Sequence, residues 1–201
     1  MKKIGILGGT FNPIHNGHIQ LARYCQNKLG LNKVIFIPTY TPPHKASANL
    51  VDSSHRFRMC ETAVLTDCSF EVSDVEIKRK GKSYTFETLD SLKELFPGDT
   101  LYLIMGADMF LTLAEWKNPK LIFKNSVIAA IPRNDSDKSV MTDYYNSVLK
   151  PLGANVIILD DPVEQVSSTY IRDNIDKPEI ISKLLDKNVY EYIAKNNIYR
   201  K

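Results

Sequence analysis

Short apolar runs broken by glycine or proline alternate along the chain with segments whose apolar residues recur every three or four positions. Lys3 to Leu7 is such a run, ended by Gly8-Gly9, and predicts a buried strand. From Gly17 to Leu29 the residues Ile19, Leu21, Ala22, Cys25 and Leu29 fall at roughly helical spacing, and Gly30 ends the helix. Lys33 to Pro38 is β-branched and proline-terminated, a second strand. Tyr40 to Asp52 predicts a loop, because Pro42-Pro43 can continue neither element. Ser53 or Ser54 is expected to cap a helix reaching about Leu65. Phe70 to Lys78 alternates apolar and polar, the pattern of a half-exposed strand. Glu87 to Phe96 predicts a helix closed by Pro97-Gly98. Thr100 to Met105, Ser126 to Ile131 and Ala154 to Leu159 predict three more strands. Ile180 to Ile198 holds one or two amphipathic helices, and the polar stretch Arg133 to Ser139 predicts a mobile loop.

Strand and helix alternate throughout, which argues an α/β fold with a mostly parallel sheet and helices on both faces. No repeat, low-complexity run or linker divides the chain, so a single domain over residues 1–201 is expected, with C-terminal helices from about residue 168. Its 201 residues suffice for a real core, and 43% hydrophobic against 24% charged residues is a globular balance. The net charge of +3 is too small to argue for nucleic acid but does not repel a small anion. The three cysteines form no CxxC pair, and an odd number closes no disulfide framework. The apolar run after Met1 is too short for a signal peptide, and no stretch approaches the roughly 20 apolar residues of a membrane span. A reduced, cytoplasmic protein without membrane contact is expected; a homo-oligomer is left open.

The chemistry concentrates between the first strand and the first helix. In an open α/β sheet, ligands bind beyond the carboxyl ends of the strands, where Gly8-Gly9-Thr10-Phe11-Asn12-Pro13-Ile14-His15-Asn16-Gly17-His18 lies. Gly8 and Gly9 permit close approach of a phosphate, Thr10 adds a hydroxyl, and Pro13 stiffens the turn. Gly17 and His18 fall at a helix start, whose free N–H groups and dipole favour an anion. His15 and His18, three apart, can face one phosphate cluster. The loop is neither a Walker A motif nor the Rossmann glycine pattern, so histidines and backbone dipoles must supply the chemistry. The alternative is a tight strand–helix turn with incidental histidines.

A second anion site is predicted at Ser167-Ser168-Thr169-Tyr170-Ile171-Arg172, where Ser167 or Ser168 caps a helix and Arg172 brings a planar fork to the same anion. Alone, this could be an ordinary cap beside a surface arginine. Three further segments could meet a second substrate. Pro42-Pro43-His44-Lys45 presents an imidazole and an ammonium on a stiff turn. Ser83-Tyr84-Thr85 opens a helix and could grip a carboxylate. Gly106-Ala107-Asp108 follows the most apolar strand, with the single Trp116 nearby. A capping sequence and a core tryptophan are the plainer readings of the last two.

The Gly8 to His18 segment resembles the signature of the HxGH nucleotidyltransferase superfamily. With Pro42-Pro43-His44-Lys45, Ser83-Tyr84-Thr85, Gly106-Ala107-Asp108, Trp116, Ile131-Pro132-Arg133 and the ending from Tyr192 to Arg200, nearly the whole chain resembles the bacterial-type nicotinate-nucleotide adenylyltransferases. The resemblance implies a Rossmann-like sheet and attack by the 5′-phosphate of nicotinate mononucleotide on the α-phosphorus of ATP. Nicotinate adenine dinucleotide and pyrophosphate would form. It implies that Gly8, Gly9, Thr10, Phe11, His15, His18, Gly106, Asp108, Arg133, Ser167, Ser168, Thr169 and Arg172 meet ATP. His44, Lys45, Ser83, Tyr84, Thr85, Trp116 and Lys117 would meet the acceptor. His15, His18, Lys45 and Arg172 would carry catalysis. Mg²⁺ is expected with ATP, held by phosphates and water rather than a protein cage.

Two positions depart from the family pattern. Lys117 stands where an aromatic or histidine is usual, and Arg133-Asn134-Asp135 lacks the usual proline–glycine. Nicotinamide mononucleotide and phosphopantetheine remain as acceptors of the same superfamily. A non-catalytic nucleotide-binding regulator is the alternative of a different class.

Overall fold

The computed structural model describes residues 1–42, 50–160 and 166–199. Six parallel strands form one sheet: β1 (Lys3–Gly9), β2 (Lys33–Pro38), β3 (Phe70–Val72), β4 (Thr100–Gly106), β5 (Val127–Ile131) and β6 (Val156–Ile158). Their order is β3-β2-β1-β4-β5-β6, with every pair parallel. Connections leave β1 in opposite directions, so a crevice opens at the carboxyl ends of β1 and β4.

The helices are α1 (Asn16–Leu29), α2 (Ser53–Val64), α3 (Val75–Arg79), α4 (Thr85–Leu95), α5 (Ala107–Phe110), α6 (Pro119–Asn125), α7 (Asp135–Tyr144), α8 (Ser168–Asp173), α9 (Pro178–Leu184) and α10 (Lys187–Lys195). A 3₁₀ turn covers Leu113–Glu115, and α7 continues into a π-helical turn, Tyr145–Leu149.

Strand alternation sorts the near-continuous apolar runs into two cores. Leu7, Val34, Phe36, Tyr102, Ile104, Ala129 and Ile131 face one cluster, shared with α1, α2 and α8 to α10. Ile4, Ile6, Ile35, Ile37, Leu101, Leu103, Met105, Ile128 and Ala130 face the other, under α4 to α7. Both sheet faces are covered, as a parallel sheet requires.

Three local expectations are corrected. Phe70 to Lys78 is not one strand: pairing with β2 ends at Val72, and from Asp74, whose carbonyl accepts from Lys78 N at 2.8 Å, the chain turns into α3. That helix buries Glu76, which an alternating pattern counts as solvent-facing. Arg133 to Ser139 is not all loop: α7 begins at Asp135, capped by Asn134. Asn134 Oδ1 accepts from Asp137 N at 2.9 Å, and Asp135 and Asp137 sit favourably on the helix dipole. The cap of α2 is Asp52, accepting from Ser54 N at 2.8 Å, rather than Ser53 or Ser54.

Gly5 lies in the middle of β1 where that strand is most crowded. A Cβ there would approach Leu31 Cδ1 to 2.8 Å, Ile104 Cδ1 to 3.0 Å and Val34 Cγ2 to 3.1 Å. Gly5→Val should lower the unfolding free energy by about 1–3 kcal/mol, through overpacking, in urea titration.

Candidate active site

Leaving β1, the chain turns sharply. Phe11 adopts φ 47°, and its buried ring packs edge-on against His18, 4.9 Å between centroids. Three carbonyl oxygens of this turn accept from donors on other elements. Thr10 O accepts from the Arg56 guanidinium at 2.8 Å, Asn12 O from Arg172 at 2.7 Å and Pro13 O from the Ser168 hydroxyl at 3.0 Å. Asn12 Oδ1 accepts from the Tyr199 hydroxyl at 2.7 Å and from Val51 N at 3.3 Å. Oxygens that would repel a phosphate are thus already engaged.

At the end of this turn His15 caps α1 and stacks on His18, 3.6 Å between ring centroids. The His15 backbone N–H donates to His18 Nδ1 at 3.2 Å, so the neutral His18 ring carries its proton on Nε2. His15 Nδ1 is buried without a hydrogen-bond partner. Gly17 makes room for it, since a Cβ there would come within 3.2 Å of His15 Nδ1 and of Val166. Burial lowers the His15 pKa to about 4. Burial, with the neighbouring His15, holds His18 well below its ordinary value. Both rings are neutral at pH 7 and can each offer one N–H.

Gly8, next to last in β1, and Gly106, the last residue of β4, lie at the carboxyl ends of adjacent strands. A Cβ on either would meet no described atom within 4 Å. Neither glycine is demanded by packing or by a positive φ, and both leave the crevice open. Beyond Gly106, Asp108 forms an ion pair with Arg133, which follows β5. Arg133 Nε also pairs with Asp137 Oδ2 at 3.2 Å.

Ser167 caps α8, accepting from Tyr170 N at 3.3 Å. Arg172, besides Asn12 O, donates to Thr169 Oγ1 at 3.1 Å, so its fork bridges the turn and the start of α8. On the other flank, Thr85 is the first residue of α4, and Lys117 Nζ lies 4.4 Å from the centroid of the Tyr84 ring. The Trp116 ring packs partly against the second core and donates from Nε1 to Thr112 Oγ1 at 3.2 Å. The Ser83 hydroxyl is buried and accepts from Tyr40 N at 2.9 Å, and the Phe11 ring is core, so neither side chain is open to a ligand here. His44 and Lys45 lie outside the described residues. Among the described residues no group of three or more His, Cys, Asp or Glu side chains could hold a metal ion. No described helix is long and apolar enough to cross a membrane.

Arg56 and Glu76 belong to none of the motifs in the sequence, while Asn12 and Tyr199 lie in such motifs without a role of their own there. A signal for Arg56 existed: it shares the buried face of α2 with Ser53, Met59, Cys60 and Val64, where a charge is out of place.

The glycine–histidine turn lies at the switch point of this sheet, where ligands bind in open α/β folds. The chain belongs to the cytidylyltransferase-like family, whose model matches residues 6–174. Within it the relatives are more specific. A probable nicotinate-nucleotide adenylyltransferase of Clostridium tetani is 38% identical over 200 residues, covering 100% of both chains. One of the same name from Carboxydothermus hydrogenoformans is 39% identical over 198 residues, covering 98% of both. In fold the chain is similar to the Plasmodium falciparum nicotinic acid mononucleotide adenylyltransferase complexed with NaAD, with TM-score 0.77, 20% identity and coverage of 99% of this chain and 98% of that one.

Two tests follow from the site geometry. Gly8→Val should leave the thermal midpoint near that of the unaltered chain while abolishing nucleotide binding by calorimetry, the reverse of the Gly5 substitution. The histidine prediction concerns acid. His15 folded has a pKa of about 4 against an ordinary 6.5, so the unfolded chain binds its proton first. Its contribution is present above about pH 6.5 and is lost as pH falls toward 4, on the order of 3 kcal/mol in all. Urea midpoints should drop over that range, and drop less in His15→Gln.

Proposed function

We propose that the chain transfers the adenylyl group of ATP to nicotinate mononucleotide, forming nicotinate adenine dinucleotide and pyrophosphate in NAD biosynthesis. The carrying observation is the glycine–histidine turn at the β1/β4 crevice, with its carbonyls held back and two neutral imidazoles stacked at the helix start. Full-length relatedness to chains named for this activity supports the acceptor.

A 5′-phosphate oxygen of nicotinate mononucleotide attacks the α-phosphorus of ATP. The bond from that phosphorus to the bridging β-oxygen breaks, and pyrophosphate leaves with the electron pair. The substrate brings the nucleophile, so the protein's work is positioning and charge stabilisation. Mg²⁺ would come with ATP, held by its phosphates and water rather than by a cage of described residues, and would neutralise charge on them. Gly8, Gly9, Thr10 and the backbone at Phe11 line the triphosphate. His15 and His18 donate from their ring N–H groups to oxygens around the reacting phosphorus. An approaching triphosphate offsets the burial that depresses both histidines, and either can take up a proton as charge develops.

Arg172, with Ser167, Ser168 and Thr169 at the start of α8, receives the departing pyrophosphate while its Nη1 keeps hold of Asn12 O. Gly106, Asp108 and Arg133 take the adenosine side. Thr85 at the first turn of α4, with Tyr84, Trp116 and Lys117, takes the nicotinate ring and its carboxylate. Ser83 supports that segment from beneath. His44 and Lys45 are assigned on sequence alone, to neutralise charge between the two substrates. The reaction is placed in the cytoplasm, consistent with three free thiols.

The test is pyrophosphate release from purified protein with ATP, Mg²⁺ and nicotinate mononucleotide or its amide. Release with the acid should dominate, and His18→Ala should lower turnover by about 10²–10³ with the fold intact. No release with either acceptor contradicts the reading, and faster turnover of the amide reassigns the acceptor.

A further inference from the structure

Among the described residues Arg56 is the largest fully buried side chain, yet no carboxylate there accepts a hydrogen bond from its guanidinium. Its three hydrogen bonds go to backbone carbonyls: Thr10 O at 2.8 Å, Tyr40 O at 3.0 Å and Val51 O at 2.9 Å. Those carbonyls belong to different parts of the site. Thr10 is in the turn after β1, and Tyr40 is in the strap that leaves β2. The strap is gripped from its other side by Ser83, whose hydroxyl accepts from Tyr40 N at 2.9 Å and whose N–H donates to Thr41 O at 3.0 Å. Ser83 immediately precedes Tyr84 and Thr85. Beneath it lies Glu76, buried, accepting from Thr88 Oγ1 at 2.6 Å and facing the Ser83 hydroxyl.

A continuous chain of hydrogen bonds therefore runs from Thr10 through Arg56, Tyr40 and Ser83 to the first turn of α4. The three bonds leave three different nitrogens, Nε, Nη1 and Nη2, fixed in one plane; the three donors of a lysine radiate from a single nitrogen and cannot span carbonyls held that way. Asp52 and Glu76 act on this cation only through space, and burial still disfavours its charged form, so stability alone gives little reason for an arginine here.

We propose that Arg56 is a positioning residue that couples the triphosphate turn to the acceptor segment, setting the distance between the two substrates while touching neither. This rests on the reading of those segments as the ATP and nicotinate mononucleotide subsites.

Three variants test it: Arg56→Lys, Ser83→Ala and the two combined. Ser83→Ala breaks only the acceptor end of the chain. It should raise KM for nicotinate mononucleotide about five- to tenfold and leave KM for ATP unchanged. Arg56→Lys should lower kcat/KM for both substrates by about tenfold or more. The double variant should raise the acceptor KM by less than the product of the single effects, because both break one connection. An arginine that serves folding alone would lower the thermal midpoint and leave both KM values and kcat as they are; that result, or fully multiplicative effects, overturns the proposal.

Amide exchange with a non-hydrolysable ATP analogue gives a readout free of turnover. The analogue should slow exchange at Tyr40 and Ser83 in the unaltered chain and fail to do so in Arg56→Lys. Protection confined to residues 8–18 contradicts coupling. Protection that reaches Ser83, without pyrophosphate release, contradicts the acceptor and leaves the coupling standing.

Discussion

The backbone carbonyls of Thr10, Asn12 and Pro13 would each repel a phosphate, and each is held by a donor from elsewhere in the chain: Arg56, Arg172 and Ser168. Much of the remaining site geometry follows from this. With its carbonyls tied back, the turn keeps Gly8 facing an open crevice and sets His15 as the cap of α1. The donors come from α2 and α8, and the Tyr199 hydroxyl near the chain end adds a hold on Asn12. Segments more than 150 residues apart in the chain thus converge on one turn, and the first core cluster behind it packs the same helices against the sheet.

The two stacked histidines show how burial selects chemistry. Desolvation keeps both rings uncharged, which stops them repelling one another at 3.6 Å between centroids. A neutral ring still donates one N–H, and the bond into His18 Nδ1 fixes which nitrogen does so. An anionic ligand reverses the balance, because its charge favours the protonated form that burial disfavours. The same pair is a liability in acid, when the unfolded chain takes up protons that the folded chain resists.

Much of the architecture was legible in the sequence because parallel strands buried on both faces leave unmistakable apolar runs. Lys33 to Pro38 was located with both its ends, and Gly30 marks the end of α1 with φ 62°. What escaped was where a polar residue does a buried job. Glu76 inside α3 made Phe70 to Lys78 look like an alternating strand, and the acidic start of α7 looked like solvent-exposed loop. The glycine–histidine turn was legible because its residue types serve a ligand rather than a core. Arg56 was not, since its partners are backbone carbonyls far apart in sequence, and carbonyls leave no mark on composition. The family resemblance turns Ser83 toward substrate, whereas its hydroxyl lies beneath the segment and grips the strap after β2.

The central claim is that the turn after β1 is preformed for a triphosphate by these carbonyl contacts. A crystal structure with a non-hydrolysable ATP analogue tests it most directly. The account predicts the triphosphate over Gly8 and Gly106, residues 8–18 within about 1 Å of their free positions, and Arg56 still bound to Thr10 and Tyr40. A nucleotide seated elsewhere, or a turn that refolds around it with Arg56 released, would contradict the claim.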